Sequence, residues 1–247
     1  MKLFGLIGNP LGHSFSKKYF TSKFEKEGLG DCYFELFPLP TIEEFPLLLR
    51  AQPGLKGLAV TIPYKQAIIP FLTRLSPEAE KIGAVNCIQF INNSLTGFNT
   101  DVVGFEKSFV PLLKPQHQKA LVLGTGGASR AVQYILQKLS IPFTLVSRAS
   151  CVSDDMLQYD SIDQQVLEEH LIVINCSPVG MPPNEASKPA IPYEFITKRH
   201  YLYDLVYAPN ETAFIGEGNK CGAVVKDGFD MLIFQAEENW RLWNKDT

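Results

Sequence analysis

With 247 residues, 45% of them apolar and 20% charged, the chain is long enough to bury a full core as one large or two ordinary domains. A formal charge of -3 leaves no basic stripe for nucleic acid, and five scattered cysteines (Cys32, Cys87, Cys151, Cys176, Cys221) without a C-x-x-C pair point to reduced thiols. The four histidines (His13, His117, His170, His200) show no metal-ligand spacing, and the glycine-broken apolar run Leu3 to Ile7 is too short for a signal-peptide core or a membrane span. These features predict a cytoplasmic α/β protein without a metal.

Strand and helix patterns alternate from the start. Lys2 to Ile7 reads as a strand, Ser16 to Glu27 as a helix with Tyr19, Phe20 and Phe24 on one face, and Cys32 to Phe37 as a second strand. Thr41 to Arg50 reads as a helix, and Lys56 to Ile62 as a buried strand that runs into Pro63, Tyr64 and Lys65. Pro63 cannot extend a ladder, and its fixed φ suits the first turn of a helix. The pattern therefore raises Lys65 at the carboxyl end of a strand, where ligands sit in open α/β sheets. A helix dipole disfavours a cation in that first turn, so another partner is needed to hold it there. Further on, Cys87 to Phe90 and Leu95 to Phe98 flank Asn92-Asn93 as a hairpin, and residues 101–113 look helical up to Pro111 and Pro115. The alternation predicts parallel βαβ units with one antiparallel edge.

A second unit opens near Lys119. Ala120 to Leu123 is a fully apolar strand, Gly124-Thr125-Gly126-Gly127 a glycine loop, and Ala128 to Leu139 recurs at helical spacing. A glycine loop between strand and helix is the setting of a dinucleotide fingerprint, which holds a pyrophosphate on backbone N–H groups and the helix N-terminus. Ser129 stands at the third glycine position, small enough for close packing but a departure from the pattern. The next strand, Phe143 to Ser147, ends on Arg148 and has no acid before Asp154. An acid there would bind a ribose 2′-hydroxyl, whereas an arginine can fork onto a 2′-phosphate. The segment favours NADP(H) over NAD(H). Leu171 to Asn175, Tyr201 to Val206 and Ala223 to Val225 are further strands, and Phe229 to Trp243 is a closing helix.

Small polar groups gather near predicted strand ends: Ser14 and Ser16, Thr61 and Lys65, Asn86, Asp101, Tyr207, and Gln235. Singly each has an ordinary explanation, as an N-cap, a turn residue or a solvated helix position. In this order, though, the Ser-x-Ser loop, V-T-I-P-x-K, A-V-N, N-T-D, G-x-G-G-A-S-R, D-L-V-Y and D-G-x-x-M-L-x-x-Q resemble the shikimate dehydrogenase family over essentially the whole chain. The resemblance implies an N-terminal α/β substrate domain with a mostly parallel sheet (residues 1–114), a cleft, and an NADP-binding Rossmann domain (residues 115–228). The final segment, 229–247, is expected to pack back on the first domain.

It further implies that Ser14, Ser16, Thr61 and Tyr207 hold a substrate carboxylate, while Lys65, Asn86, Asp101 and Gln235 bind ring hydroxyls. Gly124, Gly126, Gly127, Ala128, Ser129, Ser147, Arg148, Leu205 and Gly228 would meet the cofactor. Three departures stand out. The segment Ser147-Arg148-Ala149-Ser150-Cys151-Val152 lacks a second basic residue, Asp230 replaces a frequent glycine, and the chain is short around 150–163.

Hydride transfer to a ring ketone leaves negative charge on oxygen, which an ammonium can stabilise and protonate. Lys65 is the expected acid/base, with Asp101 as its orienting partner. The implied activity is reversible NADPH-dependent reduction of 3-dehydroshikimate to shikimate by a monomer or homodimer, with no nucleic-acid or membrane partner. The alternatives are a quinate/shikimate dehydrogenase using NAD or both cofactors, and a non-catalytic nucleotide-binding sensor on the same fold.

Overall fold

The structure is a computed structural model that describes residues 1–12, 14–92, 94–148 and 156–245. His13, Asn93, Ala149, Ser150, Cys151, Val152 and Asp154, all named above, lie outside the described residues. The chain forms two compact units, Met1–Thr100 with Ala236–Thr247, and Asp101–Gln235.

The first unit contains β1 (Lys2–Gly8), α1 (Phe15–Lys26), β2 (Cys32–Pro38), α2 (Phe45–Ala51), β3 (Leu55–Val60), β4 (Arg74–Leu75), α3 (Pro77–Ile82), β5 (Cys87–Ile91) and β6 (Ser94–Phe98). Its six strands lie in the order β2-β1-β3-β5-β6-β4. The two-residue period of a strand sends alternate side chains of β1 to opposite faces. Leu3 and Ile7 join Phe45, Leu58, Val60 and Ile88 on one side, and Phe4 and Leu6 join Phe20, Phe24 and Phe34 on the other. With both faces covered, β1 is apolar throughout and buried from Leu3 to Gly8 apart from its first residue.

Two expectations are corrected here. The antiparallel strand is not at an edge: β5 lies between β3 and β6 and runs antiparallel to both. No α-helix follows Pro63 either; turns lead to a 3-10 segment at Ile69–Phe71. The reason is a competing hydrogen bond, because the Lys65 carbonyl accepts from Val85 N–H at 2.7 Å and not from a residue one helical turn on. The strand itself stops at Val60, before Thr61.

The second unit contains α4 (Asp101–Phe109), β7 (Ala120–Leu123), α5 (Gly127–Lys138), β8 (Phe143–Ser147), β9 (Met156–Gln158), α6 (Gln164–Glu169), β10 (Ile172–Asn175), β11 (Tyr201–Asp204), α7 (Ala213–Lys220), β12 (Val224–Lys226) and the first part of α8 (Phe229–Trp243). Every strand pair is parallel, in the order β12-β11-β10-β7-β8-β9. That is the doubly wound arrangement, with the winding reversing between β7 and β10. α4 covers part of this sheet through aromatic contacts. Phe109 stacks on Tyr201 at 5.2 Å, Phe105 meets Tyr203 edge-on at 5.1 Å, and Ser108 Oγ reaches Tyr203 Oη at 2.6 Å.

The closing helix ends in the first unit. Ala236, Leu242 and Trp243 join the Phe4–Phe20–Phe34 cluster, Trp243 stacks on Phe4 at 5.1 Å, and its indole N–H donates to Ile88 O at 3.1 Å.

Candidate active site

In the first unit, one edge of the sheet collects polar residues from four segments. β1, β3 and β6 end at this edge, and antiparallel β5 begins there. Main-chain bonds tie the segments together. Thr61 N–H donates to Ile7 O at 2.9 Å, Asn9 N–H to Ile62 O at 3.1 Å, Val60 N–H to Asn86 O at 2.8 Å, and Asn86 N–H to Phe98 O at 3.0 Å. Together with the Val85–Lys65 bond, they fix Thr61, Lys65 and Asn86 on a common rim. Lys65 and Thr61 are half-buried and Asn86 is buried. Tyr64, between them, is buried and donates its hydroxyl to Leu39 O, so the lysine stands on an anchored turn.

Ser14 and Ser16 follow the loop that leaves β1. Ser14 caps α1 in extended conformation, and Ser16 lies in the first helical turn, so the N-cap is Ser14. Ser14 does not use its side chain for capping; its Oγ is buried and has no hydrogen-bond partner among the described residues. A buried hydroxyl left unsatisfied is costly, and a carboxylate oxygen is the kind of group that would satisfy it.

The second unit presents its residues at the carboxyl ends of parallel strands. Gly124 follows β7 at φ +108°, a conformation L side chains rarely adopt, and a Cβ there would lie 3.3 Å from the Cys176 and Ser177 backbone. Gly126 is the N-cap of α5, and a Cβ there would meet nothing within 4 Å. The fold therefore demands glycine at 124 and leaves the backbone at 126 open to a ligand. Gly127 and Ala128 open α5, and Ser129 is fully buried, with its Oγ accepting from Gln133 at 3.1 Å. Ser147 ends β8 half-buried, and Arg148 beyond it is exposed. Leu205 and Tyr207 follow β11 half-buried, and burial pushes the Tyr207 hydroxyl up. Gly228 packs so tightly on this turn that a Cβ would come within 2.2 Å of Leu205 O. Gln235, half-buried on α8, donates to Leu232 O at 2.9 Å. Asp101 is buried at the start of α4.

A family model described as the shikimate dehydrogenase substrate binding domain matches residues 6–88. The shikimate dehydrogenase (NADP(+)) of Caldanaerobacter subterraneus subsp. tengcongensis is 34% identical over 98% of this chain and 91% of its own length. The chain belongs to the shikimate dehydrogenase family. Among solved structures, a shikimate 5-dehydrogenase of Thermus thermophilus in complex with NADP(H) and shikimate matches with a TM-score of 0.86. It is 30% identical, over 99% of this chain and 94% of that one. A quinate dehydrogenase from Corynebacterium glutamicum in complex with NAD reaches a TM-score of 0.85 at 28% identity, over 99% and 94% of the two chains.

Against that family background, one buried polar cluster ties Asp204 of the D-L-V-Y stretch to residues outside the motifs read from the sequence. At the point where the strand order reverses, Asn175 ends β10 and is buried. Its Nδ2 donates to Asp204 Oδ1 at 2.9 Å, and its Oδ1 accepts from Ser177 N–H at 3.0 Å and Ser177 Oγ at 2.6 Å. Asp204 also accepts from Val206 N–H at 3.0 Å and from Thr212 Oγ1 at 2.6 Å. Burial nevertheless pushes its carboxyl up to about 6, against the pull of those donors. The segment Asn175-Cys176-Ser177-Pro178-Val179-Gly180 is turn chemistry directly after an apolar strand, the local signal by which sequence alone could have singled it out. Asp230 is held by Lys226 at 2.6 Å. Among the described residues, no cluster of His, Cys, Asp and Glu could hold a metal, and no helix is long and apolar enough to cross a membrane.

Proposed function

We propose that this chain catalyses the reversible, NADPH-dependent reduction of 3-dehydroshikimate to shikimate, as a monomer or homodimer in the cytoplasm. One observation carries the reading: a chain similar from end to end to NADP(+) shikimate dehydrogenases keeps the V-T-I-P-x-K lysine half-buried at the sheet edge that ends β3. The glycine loop fits a dinucleotide, because Gly126 leaves its backbone open at a helix start beside the reversal of strand order. When bound, NADPH supplies the hydride.

The protein's own groups do the rest. Lys65 as an ammonium stabilises charge on the ketone oxygen and delivers the proton, and Asp101 orients the lysine and a ring hydroxyl. Ser14, Ser16, Thr61 and Tyr207 donate hydroxyl hydrogens to the substrate carboxylate. Asn86 and Gln235 bind ring hydroxyls. Gly124, Gly126, Gly127, Ala128, Ser129, Ser147, Leu205 and Gly228 line the cofactor, and Arg148 reads its 2′-phosphate. The substrate domain expected over 1–114 and the cofactor domain expected over 115–228 keep those roles, with α4 (Asp101–Phe109) grouped with the second unit.

A quinate-oxidising enzyme is the second reading, supported by the near-equal fold match to an NAD-bound quinate dehydrogenase. Loss of nicotinamide absorbance on adding 3-dehydroshikimate to enzyme and NADPH tests both. Turnover with quinate and NAD but not with shikimate and NADP would overturn the first in favour of the second.

A further inference from the structure

We propose that Asp204 is a positioning residue for the nicotinamide half of the cofactor, because it ties the loop after β10 to the loop after β11 and to the start of α7. That role rests on the reading of the second unit as the NADP(H) domain. β10 and β11 pair as far as Asn175 and Asp204, and the last ladder bond runs from Leu205 N–H to Asn175 O at 2.9 Å. Beyond it the strands part, and side chains take the amide hydrogens that follow. Ser177 N–H turns back onto Asn175 Oδ1 at 3.0 Å, and Val206 N–H onto Asp204 Oδ1 at 3.0 Å.

Donors and acceptors balance throughout this cluster. Asn175 has two amide hydrogens, of which one goes to Asp204 Oδ1 at 2.9 Å and the other to Val179 O at 3.2 Å. Its oxygen takes both the N–H and the O–H of Ser177, and Ser177 Oγ accepts from Val179 N–H at 3.4 Å. Thr212 gives its one hydroxyl hydrogen to Asp204 Oδ2 at 2.6 Å and, as N-cap of α7, accepts from Ile215 N–H at 3.3 Å. Asp204 thus receives three donors from three segments, and Asn175, Asp204 and Thr212 are all buried. The far end of the β10 loop closes on the same cluster, since a Cβ on Gly180 would lie 3.7 Å from Thr212 Cβ.

The place of this brace in the sheet gives it a cofactor half. A Cβ on Gly124 would lie 3.3 Å from Ser177 N, so the braced loop lies against the glycine loop, where the strand order reverses. A doubly wound sheet gives one mononucleotide to each half. With Arg148 after β8 taking the adenosine end, β10 to β12 are left for the nicotinamide. Leu205, read as a cofactor contact, stands between Asp204 and the Val206 N–H that Asp204 holds. Gly228 packs on the Leu205 and Asp204 carbonyls, so the same tie carries both cofactor-facing residues.

The test uses the full chain at about pH 8, where the Asp204 carboxylate is charged. Asp204→Asn keeps the shape but has a single acceptor end, so the Thr212 hydroxyl loses its acceptor, and Thr212→Val removes the same bond from the other side. Each should lower kcat for NADPH-dependent reduction about 10-fold through a misplaced nicotinamide. Inhibition by adenosine 2′,5′-bisphosphate, which carries the adenosine end alone, should be unchanged. The kinetic isotope effect with NADPH deuterated at the transferred hydrogen should rise in both variants, and Thr212→Ser, which keeps the hydroxyl, should restore kcat. Normal kcat in both variants, or inhibition by the fragment weakened as much as turnover, would overturn the positioning role and leave the cluster a matter of stability. A wild-type enzyme that the fragment does not inhibit would overturn instead the cofactor reading, and with it the purpose of the brace.

Discussion

The two sheets have six strands each but expose their functional edges by different means. In the second unit the described strands are all parallel, so the carboxyl ends of β7, β8, β10, β11 and β12 share one rim. In the first, antiparallel β5 between β3 and β6 brings a strand start to a rim of strand ends, and Asn86 reaches the rim only by that inversion. The buried polar groups differ as well. Around the first rim they are neutral amides and hydroxyls: Asn86, Asn99, Thr100 and Asn239. The second unit buries groups that titrate in the acid range, among them Asp204, His117, His170 and His200. The buried polar groups around the Lys65 rim thus carry no charge of their own, whereas the second unit buries side chains that gain or lose one in the acid range.

The largest expected effect falls on the first rim. Lys65→Ala should lower kcat by about 10³-fold, within the range for loss of a general acid, with the shikimate KM little changed. Comparable loss through KM alone would make the lysine a binding group and leave the proton to another residue.

Next is the aromatic cluster that anchors the closing helix. Trp243→Ala removes a ring stacked on Phe4 and the N–H bond to Ile88, and should cost about 3–5 kcal/mol in urea-induced unfolding. A cost below about 1 kcal/mol would mean that the helix end is not part of the first unit's core.

A third prediction separates the two units by pH. The Asp204 carboxyl, pushed up to about 6 by burial from 3.8, prefers the protonated form in the folded state. Between those values the folded chain binds a proton that the unfolded chain has released, so this group's contribution falls as pH rises and is lost above about 6. The total is roughly 3 kcal/mol, since each tenfold change in proton affinity is worth about 1.36 kcal/mol. His117, His170 and His200 act in the opposite sense: burial lowers each, so stability is lost as pH falls through the ordinary histidine range. Comparing wild type with Asp204→Asn cancels the histidines. The stability advantage of wild type should shrink by up to about 3 kcal/mol between pH 4 and pH 7, and a gap constant across that range would place the Asp204 titration elsewhere.

How much of this was legible in the sequence follows from the range of the interactions. The glycine loop and the helix Phe229–Trp243 were readable because their signals are local: an apolar strand before the turn, and helical spacing between start and stop. The turn after Pro63 was not, since the donor that claims the Lys65 carbonyl is Val85, on a loop about twenty residues away. β4 escaped because a strand of two residues carries no alternation to detect. The Asn175 and Thr212 partners of Asp204 were missed for the same reason as the buried Thr100–Asn239 pair. Each joins polar residues from separate elements, and each residue alone looks like a cap or a strand end.

The smallest expected effect lies on the second rim, at Arg148. It is exposed just beyond the end of β8, and its charge draws the Tyr159 hydroxyl part-way back from the upward push of burial. A single exposed arginine is a weaker clamp than two basic residues would be, because a second charge would share the 2′-phosphate and limit its escape. Arg148→Ala should therefore reduce the preference for NADPH over NADH, measured as the ratio of kcat/KM values, by about 10-fold and no more, the worth of one charge-assisted contact. An unchanged ratio would mean that discrimination does not rest on Arg148, and the selectivity of this enzyme would then have to arise from repulsion of NADH and not from attraction of the phosphate.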